Sequence, residues 1–122
     1  MALQVWLPLN GNIKNQGLSN ITVTNNGATV NDNGKIGKCY SFDGSDDFIS
    51  LSGQGLYNIF KGGNYKFSIT TWIYHSDSTR AIIFGDYNLS GYINFNIELT
   101  TSHAFRFYWG GNPDKTFNGA LT

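Results

Sequence analysis

The chain has one cysteine, Cys39, so no intrachain disulfide can form, and with no Cys-x-x-Cys pair or Cys/His cluster nothing suggests structural zinc. The fold must stand on packing. Charge is also scarce: Asp, Glu, Lys and Arg make up 13% of residues, about half the usual share, and eight basic side chains cancel eight acidic ones. Such a chain carries no electrostatic footprint for nucleic acid or for an anionic membrane. No apolar run approaches the roughly 20 residues of a membrane span, so no membrane insertion is expected. The opening Met1 to Leu9 has no basic stretch and is broken by Pro8, which reads as mature structure rather than a signal peptide. In that light the sequons Asn20-Ile21-Thr22 and Asn88-Leu89-Ser90 are read as chance.

The 122 residues suffice for one domain, and three Trp, seven Tyr and nine Phe supply bulk for a core, which argues against disorder. Turn signals recur at short intervals, among them Asn10-Gly11, Asn26-Gly27, Asn33-Gly34, Asp43-Gly44, Gly62-Gly63, Ser90-Gly91, Gly110-Gly111 and Asn118-Gly119. Most gaps between turn signals are about 7 to 12 residues, the rhythm of a sandwich or barrel of short strands. Asn and Gly tolerate the left-handed backbone that tight hairpins demand.

Between the turns the period is two. In Tyr92 to Leu99, Ile93, Phe95, Ile97 and Leu99 share one face, and Tyr92, Asn94, Asn96 and Glu98 share the other. The first face is expected in the core and the second in water. Lys66 to Tyr74 sets Phe67, Ile69, Thr71 and Ile73 against Ser68, Thr70, Trp72 and Tyr74, and Ala104 to Trp109 groups Phe105, Phe107 and Trp109. Further strands are expected at Leu3 to Leu7, Ile21 to Thr24, Lys38 to Phe42, Asp47 to Leu51, Ala81 to Gly85 and Lys115 to Phe117. The Asn-rich stretch from Asn10 to Asn33 reads as ordered hairpins and loops. Only Leu56, Ile59 and Phe60, at i, i+3 and i+4, suggest a helical turn.

Four pieces in order resemble the laminin-G-like, concanavalin A-like lectin-glucanase superfamily. They are Trp6-Leu7-Pro8-Leu9-Asn10-Gly11, Gly34-Lys35-Ile36-Gly37-Lys38-Cys39-Tyr40-Ser41-Phe42-Asp43-Gly44, Asp46-Asp47-Phe48-Ile49-Ser50-Leu51 and Phe67-Ser68-Ile69-Thr70-Thr71-Trp72-Ile73. The resemblance implies an all-β, antiparallel β-sandwich of jelly-roll type, a single domain over residues 1–122. The opening Ala2 to Leu9 resembles that of phage and prophage structural proteins of gut bacteria, which implies a virion protein made in the bacterial cytoplasm without a signal peptide. Members of the superfamily continue with further strands, so the expectation is a shortened or partial sandwich whose last strands are missing or come from another chain. An oligomer or a strand-sharing partner follows from the exposed edge.

Some members of the superfamily are glucanases, which need two carboxylates flanking the scissile bond. Here Glu98 is the only Glu, its neighbours Asn96 and Thr100 cannot replace a missing acid, and Asp43, Asp46, Asp47, Asp77 and Asp86 would supply a pair only by meeting in space. Ser102 and His103 carry no nucleophile motif, and His75 and His103 read as surface or strand-end residues. No enzyme activity is expected. Cys39 reads as a buried inert thiol.

The loop Asp43-Gly44-Ser45-Asp46-Asp47 has two readings. It is a calcium ligand set of Asp43, Asp46 and Asp47, since hard cations take several oxygens from one bent loop, or it is a solvated turn in which Asp43 caps its own backbone. The loop departs from an EF-hand at Phe48 and Gln54. The carbohydrate-binding candidates are Trp72, Tyr92, Asn94, Asn96, Glu98 and Tyr108, because sugars stack on aromatic faces and match planar amides and carboxylates to hydroxyl pairs. The bland alternative is the wet side of an ordinary sheet, with Trp72 in the core. The expected function is therefore a non-catalytic, lectin-like adhesion module for cell-surface glycan. The alternative is a structural virion domain that contacts other virion proteins.

Overall fold

A computed structural model describes residues 2–56, 67–76, 78–86, 95–109 and 112–120. Among the described residues, eight strands account for nearly all of the regular structure, and every pairing is antiparallel. The described helix is a single turn at 54–56, where Leu56 N–H donates to Gly53 O at 3.1 Å. The all-β expectation therefore holds. The chain divides into two compact units, Met1–Trp72 and Ile73–Thr122.

The first unit holds β1 (Thr22–Asn26), β2 (Thr29–Gly34), β3 (Gly37–Ser41) and β4 (Phe48–Ser52). β1 pairs with β4 from Thr22↔Ser52 to Asn26↔Phe48, and β2 pairs with β3 from Thr29↔Ser41 to Gly34↔Gly37. One ribbon thus runs up through β1 and β2 and returns through β3 and β4, interrupted between the two ladders. Its tip is the two-residue connection Lys35-Ile36, where Gly37 takes φ +75°. At the break, Gly27 takes φ +87°, Asp47 Oδ1 fills the space where a Gly27 side chain would go, and Ala28 is buried. Asn25 closes the turn by donating from Nδ2 to Ala28 O at 2.7 Å.

Leu3 to Leu7, expected as a strand, is tied irregularly to residues 15–19. Gln16 N–H donates to Trp6 O, Leu18 N–H to Leu3 O and Ser19 N–H to Gln4 O, at 2.9–3.1 Å. Asn15 holds this tie, since its Oδ1 accepts from Trp6 N–H and Gly17 N–H. Gly17 lies so close to the Gln4 backbone that a side chain there would collide with it.

The second unit is a four-stranded meander of β5 (Ala81–Asp86), β6 (Phe95–Leu99), β7 (Ala104–Trp109) and β8 (Asn112–Ala120) in sequential order. Pro113 sits in β8, an edge strand, where a missing N–H is tolerated. Asn118-Gly119, read above as a turn, falls inside β8. The register jumps there, from Phe105↔Phe117 to Ala104↔Ala120, so the pair forms a bulge rather than a reversal. The β6–β7 hairpin closes through Thr100, whose N–H donates to Ala104 O and whose carbonyl accepts from His103 N–H, with His103 at φ 59°.

Two further expectations fail. Residues 67–76 form no strand, and Ser68 to Tyr74 are exposed, whereas the alternation over Lys66 to Tyr74 suggests a strand with one face set against the other. Alternation records which way side chains face, and strand formation needs a hydrogen-bonded neighbour as well. Glu98, expected in water, is 0% exposed and lies beside the equally buried Leu99, so β6 is covered on both faces at this point.

Candidate functional site

The acidic loop crosses the ribbon break on the β3–β4 side, and chain contiguity alone brings its carboxylates together. Ligand oxygens of Asp43, Asp46 and Asp47 lie within 4.8 Å of one another. Asp43 Oδ1 accepts from Ser45 N–H at 2.8 Å and Asp46 N–H at 3.3 Å, and Asp47 Oδ2 accepts from Asp43 N–H at 2.9 Å. The Ser45 N–H, chief among these donors, holds the Asp43 carboxyl below the ordinary carboxylate range. Asp47 Oδ1 faces Gly27, so Asp43 Oδ2 and the Asp46 carboxylate are the oxygens best placed for a cation. A calcium ion takes six to eight oxygens, so this loop fits as part of a shell that water or ligand hydroxyls would complete.

In the second unit, cross-strand register assembles one face of the sheet. Asn96 pairs with Tyr108 on one side and Gly85 on the other, and Glu98 pairs with Arg106 and Ile82. Glu98 Oε2 accepts from Arg80 Nε at 2.7 Å, with Arg80 Nη2 at 2.6 Å, while Oε1 faces Arg106 Nη1 at 3.1 Å, off the hydrogen-bonding line. The chain's only glutamate is held by its only two arginines. A lone buried carboxylate would be costly, and this pairing is what permits its burial. The Arg80 side chain stays 56% exposed and that of Arg106 33%.

The carbohydrate candidates separate accordingly. Trp72 belongs to the first unit and is 70% exposed, with Lys35 Nζ over its ring at 5.8 Å from the centroid. Asn96 is half-buried, with Oδ1 enclosed and not hydrogen-bonded to a described residue. Glu98 is buried. Tyr108 lies in β7 opposite Asn96, its side chain outside the described residues, and Tyr92 and Asn94 lie outside them altogether.

Sequence reasoning missed the pairing of His75 with His103, whose rings meet edge to face at 5.8 Å, and the role of both arginines. Neither had a local signal, since each depends on where residues far apart in sequence are placed. Ser102 Oγ pairs with Thr100 Oγ1 at 2.9 Å within the β6–β7 turn. Cys39 is half-buried in β3 rather than enclosed. An open cleft of about 330 Å³ lies along Ile13, Asn15, Ser19 and Val23, but Asn15 there is engaged in holding the backbone. No protein-family model matches the chain, and no curated protein or solved structure is significantly similar to it.

Proposed function

We propose that the chain is a non-catalytic, lectin-like adhesion module of concanavalin A-like jelly-roll type, part of a phage or prophage virion protein, that binds cell-surface glycan. The observation that carries this reading is Trp72: an indole kept 70% in water while the Lys35 ammonium lies over its ring. Burying a large apolar side chain is worth about 1.5–3 kcal/mol, so a fold that leaves one in water forgoes that stabilisation. A partly held indole with a wet surface is suited to stack on the C–H face of a sugar ring.

The reading assigns no catalytic residue. Hydrolysis of a glycosidic bond needs a flanking pair of acids; Glu98 is buried between Arg80 and Arg106, and this reading gives Asp43, Asp46 and Asp47 to calcium instead. Calcium enters as an accessory: Asp43, Asp46 and Asp47 would hold it, and it would supply a positive charge able to take sugar hydroxyls. The test is a glycan array probed in calcium and in chelator. Binding to a defined set of glycans supports the reading, and an array blank in both conditions removes it.

A second reading, assembly with other virion proteins, is favoured by a different observation. Large apolar side chains are exposed in both units, including Leu18 and Ile36 in the first and Ile73 and Ile82 in the second, and Tyr74 is 93% exposed. Co-sedimentation with virion proteins, together with a blank array, would establish this reading in place of the first.

A further inference from the structure

We propose that Arg80 is the anchor for an acidic group on the glycan, so that the module prefers sugars bearing a carboxylate; this rests on the carbohydrate reading above. Arg80 uses one edge of its guanidinium, Nε and Nη2, on Glu98 Oε2. The other edge, Nη1 with the second N–H of Nη2, is a planar fork of donors, and the side chain is 56% exposed. An arginine in free solution must lose its rotamer freedom to bind an anion. Here the buried carboxylate has already fixed the plane, so the fork is set in advance.

The surroundings fit a sugar acid better than a bare anion. On the same sheet face, the half-buried Asn96 lies two residues before Glu98, and its partner on β5 is Gly85. The Asn96 oxygen is itself enclosed, and it is Ile82, opposite Glu98, that is exposed. The exposed Ile82 side chain and the charged fork of Arg80, both reaching water beside the buried Glu98, match the apolar face and the carboxylate of a sugar acid. Two parallel N–H groups match a carboxylate in a bidentate pair, which lysine cannot reproduce.

The test uses the full chain with oligogalacturonate and its methyl ester, which share every sugar hydroxyl and differ in charge. Calorimetry is expected to show the acid binding at least ten-fold tighter than the ester, with the preference shrinking as salt rises. Arg80→Gln should abolish the preference, and Arg80→Lys should reduce it several-fold by keeping charge without the fork. Because Arg80→Gln also disturbs Glu98, the double variant Arg80→Gln/Glu98→Gln, which removes both charges, should show the same loss with a cooperative melt. Equal binding of acid and ester, or binding of array glycans but of neither galacturonate, overturns the Arg80 assignment and leaves the carbohydrate reading standing. A wholly blank array overturns both.

Discussion

Two nitrogens of Arg80, Nε and Nη2, converge on one oxygen of Glu98, and the other oxygen faces Arg106. Removing the carboxylate leaves two guanidinium groups facing each other across β6. Breaking a fully buried pair costs roughly 3–5 kcal/mol, but both arginines keep contact with water, which reduces the effect. Glu98→Ala is expected to destabilise by about 2–3 kcal/mol in urea unfolding, with little dependence on salt. A loss under about 0.5 kcal/mol, the range of ordinary surface substitutions, would mean that the cluster contributes no net stability.

Gly27 is expected to tolerate no side chain. At φ +87° an alanine is strained, and its Cβ would displace Asp47 Oδ1. Gly27→Ala should cost more than about 1 kcal/mol. Asp47→Ala removes the obstacle but not the strain, so the double variant should cost less than the sum of the two singles. Strict additivity would show that the two residues do not interact.

The carboxyl of Asp43 is held below its ordinary range, chiefly by the Ser45 N–H, so the folded state binds the proton less readily than the unfolded chain does. Its contribution to stability is fully present above the ordinary carboxylate pKa and is lost as pH falls through the lowered folded value. A carboxyl-carbon NMR titration should place the Asp43 midpoint below the ordinary aspartate value. Asp43→Asn should flatten the acid limb of the stability curve. An Asp43 midpoint at the ordinary value would contradict the hydrogen-bonded loop.

Calcium can be separated from loop architecture by choice of residue. Asp46 offers its carboxylate without an accepted backbone bond among the described residues, whereas Asp43 and Asp47 both brace the loop. If calcium binds, millimolar calcium should raise the melting temperature, and Asp46→Asn should abolish that rise while leaving the calcium-free melt unchanged. An identical melt of the parent chain in calcium and in chelator would leave the loop as a solvated turn.

Trp72→Ala should weaken glycan binding roughly ten-fold, about 1.4 kcal/mol. Stability should change by no more than about 0.5 kcal/mol, since most of the ring is already in water. Affinity kept alongside folding kept would remove the indole as a platform.

Local features were legible in the sequence, and tertiary ones were not. The span Ala104 to Trp109 coincides with β7, and Ala81 to Gly85 falls one residue short of β5, because aromatic and β-branched residues, alternating in the first and consecutive in the second, are concentrated there between turn signals. The acidic loop was legible for the same reason, since its three carboxylates are neighbours in the chain. β2 was missed: Asn31, Asp32 and Asn33 are poor strand formers, and the segment is held by pairing with β3. The burial of Glu98 was illegible because it depends on arginines 18 residues before it and eight after it, brought in by strand register. Trp72 shows the converse, since a sound alternation could not say whether a neighbouring strand would be there.

The ribbon break has unequal sides: two residues, Gly27 and Ala28, connect β1 to β2, while residues 42–47 connect β3 to β4. The short side has no slack, because its turn is sealed by Asn25 and packed against Asp47. Apart from Asp47, which is held against Gly27, the long side can change length without disturbing either ladder, since the pairs Asn26↔Phe48 and Thr29↔Ser41 bound it from outside. Variation among descendants of this sequence, or residues grafted by design, should therefore accumulate in the acidic loop while Gly27-Ala28 stays fixed. The ribbon thus serves as an invariant frame carrying one exchangeable segment.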